Sequence, residues 1–188
     1  MSEIQLPIAM VRNLHLAQQV DQTSINLITK AIVDIQDDDL YLKKLYAVHD
    51  LEYNPKPIKI YIDSYGGEVY SCFGLIGLIN SSTTPVHTIV TGCAMSAGFV
   101  IAVNGHKRFA YKSSTYMYHQ AANHTHGKLK DLEDDIVETR RLQEIMESNV
   151  ISKTNIPKKK IKEVYDTKTD WYISAQDAVS LGIVDEII

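Results

Sequence analysis

Between Glu68 and Lys107 the chain runs through 38 consecutive residues, 69 to 106, without an Asp, Glu, Lys or Arg. With 19 basic and 23 acidic residues scattered at random, a gap of that length arises in about one chain in a hundred. Burying a charge is costly unless it is paired, so the window marks a stretch that must be interior to something. A membrane span is one candidate interior and needs about 20 predominantly apolar residues in a row. The window is cut by the polar run Asn80 to Pro85, by Gly92 and by Ser96, so no apolar run reaches that length. The reading that survives is the centre of a globular core.

The rest of the composition agrees. A chain of 188 residues, 45% hydrophobic and 22% charged, sits at the globular mean, which excludes disordered, collagen-like and coiled-coil classes. No linker divides it, so residues 1–188 are read as a single domain. A net charge of −4 gives no basic footprint for nucleic acid. Cys72 and Cys93 alone form neither a zinc pattern nor a disulfide framework, so no metal is expected and both thiols are read as buried in a reducing compartment. Met1-Ser2-Glu3-Ile4 lacks the basic and apolar regions of a secretory leader, which makes the expected localisation cytoplasmic, with no membrane attachment.

Strand and helix periods alternate along the chain. Val11 to Leu16 reads as a first strand, and Asp21 as the N-cap of a helix striped by Ile25, Ile28, Ile32 and Ile35. Asp37-Asp38-Asp39 is read as a solvated helix end or loop, Leu40 to Leu51 as a second helix, and Asn54 to Pro57 as a break. Ile58 to Ile62 alternates strictly and ends in the turn Asp63-Ser64-Tyr65-Gly66-Gly67, after which Val69, Phe73 and Ile76 mark a helix face. Val86 to Val90 reads as a strand with Gly92 as its turn, and Met95 to Val103 as a helix apolar all round. Arg108 to Tyr111 and Tyr116 to Tyr118 are short strands.

Gly127 to Lys153 is the longest helical pattern, with Leu129, Leu132, Ile136, Leu142, Ile145, Met146 and Val150 along one side. A helix of about 25 residues spans nearly 40 Å, more than a domain of this size needs for its own core, so part of it is expected to meet another subunit. Pro157 opens a basic helix through Tyr165 whose Lys158-Lys159-Lys160 run reads as solvated surface. Ser174 to Asp177 resembles a capping box, Gly182 a C-terminal cap, and Ile183 to Ile188 a closing strand. The order strand, turn, helix repeats, which predicts an α/β fold.

Candidate chemistry gathers inside the uncharged window. Gly92-Cys93-Ala94-Met95-Ser96-Ala97-Gly98 sets one serine among small residues where a strand gives way to a buried helix, a place with free amides and room for substrate. A serine needs a base, and the base needs an orienting partner. Of seven histidines, His119 ends a short strand and is favoured, His124 and His126 lie in a polar loop, and the others carry no spatial argument. Asp170 precedes Trp171-Tyr172-Ile173 at a loop-to-strand junction, with Asp166 and Asp177 as competitors. The Gly66-Gly67 turn ends a strand at the same edge, where a glycine amide can donate to an oxyanion.

These residues resemble the Clp protease proteolytic subunit (ClpP) family, within the ClpP/crotonase superfamily. The likeness runs from about Val11 to the C-terminus and rests on four segments in order: Ile60 to Gly67, Gly92 to Gly98, Tyr116 to Gln120, and Asp170 to Ala175. The resemblance implies a spiral of repeated ββα units with a protruding handle helix, the handle region covering about residues 120–153. It implies a serine endopeptidase working through an acyl-enzyme without cofactor, with Ser96 as nucleophile, His119 as general base and then acid, and Asp170 orienting the imidazole. The backbone amides of Gly67 and Ala97 are then the oxyanion hole. Substrates are peptides or unfolded proteins, the subunits assemble as heptameric rings paired through the handle, and an AAA+ unfoldase is the implied partner.

The chain departs from the family pattern in places. Asp63 and Tyr65 stand in a turn that usually reads Asn-Ser-Pro-Gly-Gly, Ala97 follows the serine where Met is usual, and Ala121 replaces the proline after His-Gln. The segment from Asp37 to Pro57 is longer than in typical members, and the stretch before Val11 is short for full axial loops, which bears on the unfoldase. Other readings of the same residues are an inactive ring subunit, a crotonase-like acyl-CoA enzyme, which would lean on carboxylates, and a serine–lysine dyad, for which the window holds no lysine.

Overall fold

The computed structural model describes residues 11–188; Met1 to Met10, the stretch read for a leader and for axial loops, lies outside the described residues. The order of elements is β1 (Asn13–Leu16), α1 (Gln22–Val48), β2 (Ile58–Ser64), α2 (Val69–Ser81), β3 (Val86–Met95), α3 (Ala97–Ala102), β4 (Lys107–Ala110), β5 (Thr115–Tyr118), α4 (Leu129–Lys153), α5 (Lys158–Thr167), β6 (Trp171–Ser174), α6 (Ala175–Ser180) and β7 (Glu186–Ile187). The fold is α/β. The strands form one sheet in the order β1-β2-β3-β4-β7, with β5 pairing both β3 and β6; every pairing is parallel except β5 with β6. No helix among the described residues is long and apolar enough to cross a membrane.

The uncharged window is the middle of this architecture: it supplies α2, β3 and α3. All six residues of α3 are buried, and α2 buries Cys72, Leu75, Ile76 and Ile79, an i, i+3, i+4, i+7 stripe. Of the face expected on α2, only Ile76 is fully covered, while Val69 and Phe73 pack at its margin. In β2 the strict alternation buries Ile58, Ile60, Ile62 and Ser64 and leaves Lys59, Tyr61 and Asp63 on the opposite face.

Several expectations are corrected. β3 does not turn at Gly92 but runs on to Met95, and the following helix begins at Ala97, not Met95. Gly92 is small for another reason: a Cβ there would lie 2.5 Å from Asp63 Oδ1, and that oxygen accepts the Cys93 N–H at 3.0 Å. The register between β2 and β3 shifts at this point, between Ile62 and Ser64. The closing strand is only Glu186–Ile187, and Pro157 caps α5 from outside instead of occupying its first turn. Asp21 does cap α1, accepting the Ser24 N–H at 2.7 Å while Ser24 Oγ accepts the Asp21 N–H at 3.0 Å.

The largest correction concerns Asp37 to Leu51. Helix α1 is continuous from Asp37 to Val48, with no break before Leu40, and while Asp37 and Asp38 face solvent, Asp39 is buried. Its carboxylate pairs with the Arg12 guanidinium and accepts hydrogen bonds from Tyr53 Oη at 2.6 Å and Thr84 Oγ1 at 2.7 Å; Arg12 Nη1 also donates to the Lys56 carbonyl at 2.8 Å. Three residues in a row on a helix point in three directions, and only one of these aspartates lies on the Ile28–Ile32–Ile35 side. Beyond Asp39 the last nine residues of α1 bury nothing. The aspartate is therefore the bolt that fastens the N-terminal strand and the 49–57 return to the start of β3.

Burial alone would raise the Asp39 carboxyl, but the hydrogen bonds from Arg12, Thr84 and Tyr53 outweigh it and hold it below the usual range. A depressed folded value means that the stabilisation is present at neutral pH and is lost as pH falls through the carboxylate range. Asp39→Ala is expected to lower stability at pH 7 by about 3 kcal/mol, because the Arg12 charge is left without its partner. Urea unfolding at one fixed protein concentration, at pH 7 and again below pH 4, checks this: the gap between wild type and variant narrows in acid.

Candidate active site

Ser96 stands between β3 and α3 with φ 52° and ψ −122°, a conformation that residues with a side chain rarely adopt. The fold imposes it from three sides. Ser96 N–H donates to the Met117 carbonyl at 2.9 Å, extending the β3–β5 ladder by one bond, and the Ser96 carbonyl accepts the Val100 N–H at 3.2 Å, starting the helix. From the third side Gly66 presses on the bend: a Cβ built there would lie 2.6 Å from the Met95 carbonyl oxygen and 2.7 Å from Ser96 Cβ. The result is a sharp elbow that turns the hydroxyl away from the buried helix.

The Gly66-Gly67 turn is itself held. Ser64, at the buried end of the β2 alternation, donates from Oγ to the Gln18 carbonyl at 2.6 Å and accepts the Gly66 N–H at 3.2 Å. Val20 N–H donates to the Gly66 carbonyl at 2.8 Å and the Val20 carbonyl accepts the Glu68 N–H at 2.7 Å. That pairing passes over Gly67, whose φ is 149° and whose missing Cβ leaves room for the Val20 carbonyl. Among the described residues, neither the Gly67 N–H nor the Ala97 N–H donates to a partner; Gly67 lines the same cleft as Ser96, and Ala97 is the next residue along the chain. Ser64 was not singled out from sequence, although the period-two burial of Ile58, Ile60 and Ile62 points to it.

His119 is the first residue beyond β5. Its Nε2 lies 2.8 Å from Ser96 Oγ and its Nδ1 lies 3.3 Å from Asp170 Oδ1. Strand register explains the second contact. β5 and β6 are antiparallel with Tyr118 opposite Trp171, so the next residue outward on each strand, His119 and Asp170, face one another. With a proton on Nδ1 turned toward Asp170, Nε2 is free to accept the Ser96 hydroxyl. The aspartate is half exposed, and the adjacent Trp171 ring lies under Lys160 Nζ, 5.2 Å from the ring centroid.

The competing residues fall elsewhere. Asp166 pairs with Lys162 at 2.9 Å and Asp177 accepts the Ser174 hydroxyl at 2.7 Å. His15 stacks on Tyr61, His106 Nδ1 accepts the Val86 N–H, His87 is pushed down by burial beside Phe109, and His49 caps α1. His124 and His126 are exposed. No group of three or more His, Cys, Asp or Glu among the described residues stands close enough to hold a metal ion.

Ser96 opens into a cleft of about 170 Å³ walled by Gly67, Val69, Val100, Tyr118, Ala121, Ala122 and Met146 as well as His119. None of these walls carries a formal charge other than the imidazole when protonated. Burial pushes the Tyr118 phenol up, so it too stays neutral. A low-polarity wall strengthens any hydrogen bond donated to a developing oxyanion. Serine, imidazole and carboxylate in line can activate a hydroxyl for addition to a carbonyl.

Known proteins resemble this chain in sequence. A family model described as Clp protease matches residues 7–188. The chain is 28% identical over 149 residues, 78% of its length and 73% of the relative's, to ATP-dependent Clp protease proteolytic subunit 2 of Treponema pallidum. It is 32% identical over 138 residues to the ATP-dependent Clp protease proteolytic subunit of Deinococcus radiodurans, covering 72% of this chain and 67% of that one. The corresponding subunit of Dehalococcoides mccartyi is 33% identical over 141 residues, 74% and 70% of the two chains.

The strained elbow carries its own test. Glycine adopts φ near +50° at no steric cost, whereas alanine keeps the strain of serine. Both changes remove the hydroxyl, so Ser96→Gly is expected to unfold at higher denaturant than Ser96→Ala, by about 1 kcal/mol after the larger unfolded-state entropy of glycine is subtracted. Equilibrium urea unfolding of the two variants reads this difference.

Proposed function

Since the chain belongs to the Clp protease family, and is a ClpP-like serine peptidase on that ground, we propose that Ser96, His119 and Asp170 are its catalytic triad and that the Gly67 and Ala97 amides are its oxyanion hole. The observation that carries the proposal is the 2.8 Å approach of Ser96 Oγ to His119 Nε2 at a strained elbow. Ser96 Oγ attacks the scissile carbonyl carbon as its proton passes to Nε2. The carbonyl oxygen, now an anion, takes hydrogen bonds from the two amides. Collapse breaks the C–N bond, the leaving amine takes the proton from His119, and an acyl-enzyme remains. Water, deprotonated by the same nitrogen, then releases the acid. Asp170 keeps the imidazole in the tautomer that accepts at Nε2.

Substrates on this reading are peptides or unfolded segments, because a cleft open at a sheet edge accepts an extended chain. The family assembles through self-association and in general works with an unfoldase; for this chain we extend the reading to heptameric rings, joined in pairs by the handle, in the cytoplasm. Two surfaces support assembly. The N-terminal half of α4 leaves Leu129, Ile136 and Val137 exposed while Met146 and Val150, further along, are buried. Parallel sheets ordinarily have both faces covered; here His15, Lys59, Tyr61 and Phe109 share one face, with His15 and Lys59 exposed and Tyr61 and Phe109 half-buried among the described residues.

The alternatives lean on features that the site does not offer. A crotonase-like enzyme would call on carboxylates in the cleft and a serine–lysine dyad on a lysine, and neither residue type lines it. An inactive ring subunit is separated by experiment. Ser96→Ala is expected to lower hydrolysis of small fluorogenic peptides by a factor of about 10⁴ or more, and Asp170→Asn by at least about a hundredfold. Labelling of Ser96 by a fluorophosphonate, followed by mass spectrometry, checks that the hydroxyl is activated. Light scattering at micromolar concentration is expected to give a mass many times that of one chain.

A further inference from the structure

Beyond His119 the chain leaves the sheet and enters no helix or strand until Leu129, yet it is fastened at regular intervals. Ala121 N–H donates to Gln143 Oε1 at 2.7 Å, Asn123 Nδ2 donates to Thr139 Oγ1 at 3.1 Å, and the Thr125 hydroxyl donates to Asp135. Positions 121, 123 and 125 advance by two while 143, 139 and 135 retreat by four along α4. Two extended residues cover about 6.6 Å and four helical residues about 6 Å, so the two repeats stay in step over three rungs. The segment is zipped antiparallel onto one face of the helix.

The rungs are not equivalent. The outer two are exposed, whereas Gln143 is buried, and its amide orientation is fixed because Nε2 donates to Glu147 Oε1 at 2.8 Å. That leaves Oε1 turned to the Ala121 peptide, two residues past His119. On its other side His119 follows Tyr118, the last residue in the ladder with β6. The backbone carrying the imidazole is therefore held at two points, one on the sheet and one on α4.

We propose that Gln143 is a positioning residue for His119: it anchors the Ala121 peptide so that Nε2 stays within hydrogen-bond reach of Ser96. The proposal rests on the reading of His119 as the catalytic base. A buried acceptor removed from this point leaves the Ala121 N–H unpaired and the segment tethered only by its exposed rungs. Small displacements of a base are costly to the chemical step while leaving substrate binding nearly untouched.

The test is a double-mutant cycle in the full-length, assembled protein. Gln143→Leu, of similar size but without an acceptor, is expected to lower kcat and the rate of fluorophosphonate labelling about tenfold or more, with KM changed by less than about threefold. The exchanged pair Gln143→Glu with Glu147→Gln keeps an acceptor oxygen for Ala121 and a donor between the two positions, and is expected to retain activity close to wild type. Ala121→Pro deletes the N–H that needs the anchor, and in the Ala121→Pro background Gln143→Leu is expected to change kcat by less than about twofold. An equal loss in both backgrounds, or an exchanged pair Gln143→Glu with Glu147→Gln as impaired as Gln143→Leu, overturns the positioning role. So does a Gln143→Leu chain that fails to fold even with proline at 121. Ser96→Ala at the wild-type rate would overturn the serine reading itself, whereas a dead Ser96→Ala beside an unimpaired Gln143→Leu overturns only this proposal.

Discussion

Backbone meets backbone where Gly66 lies against Met95, Ser96 and Ala97, and the candidate site depends on that contact. Two parallel strands, β2 and β3, end at the same edge of the sheet, and the chain leaving one must pass within van der Waals distance of the chain leaving the other. Only a residue without a Cβ permits it. The approach goes with a Ser96 conformation unfavourable by about 1–3 kcal/mol, and it brings the glycine turn to the cleft that Ser96 lines. Ser64, Val20 and Gln18 then fix the glycine turn from behind, so a strained serine is borne by ladder bonds and a buried hydroxyl on elements that are otherwise ordinary.

The sequence made much of this legible, and the physical reasons for the misses are specific. Alternation in Ile58 to Ile62, the isoleucine stripe of α1 and the small residues around Ser96 are local patterns, and local patterns suffice to place the elements and the candidate serine. Pairing of His119 with Asp170 is a matter of register between strands more than fifty residues apart, which no local pattern carries; proximity to strand ends suggested both residues, and the antiparallel β5–β6 ladder brings them together. Three consecutive aspartates have the pattern of a solvated run, yet helix geometry turns Asp39 inward to a charge partner 27 residues away. Gly92 was misread as a turn because glycine is most often that, when its role is to admit the Asp63 carboxylate.

Charge placement follows one rule throughout. The 38-residue gap is the core-forming middle of the fold and part of the wall of the cleft, while the one buried charge among the described residues, Asp39, is paired with the half-buried Arg12 and hydrogen-bonded by Tyr53 and Thr84. Polar groups close to the cleft, such as Gln143 and Ser64, are neutral and committed to backbone partners. The field at Ser96 is thereby left to the imidazole, the half-exposed aspartate and the two amides.

The partly exposed face of the sheet has a thermodynamic corollary. Among the described residues, a parallel sheet that leaves the His15 ring exposed and the Tyr61 and Phe109 rings half-buried keeps part of its apolar surface in water. Whatever covers that face contributes to the folded state by mass action, so the free energy of unfolding becomes a function of how many chains share the solution. For such a protein, dilution acts as a denaturant.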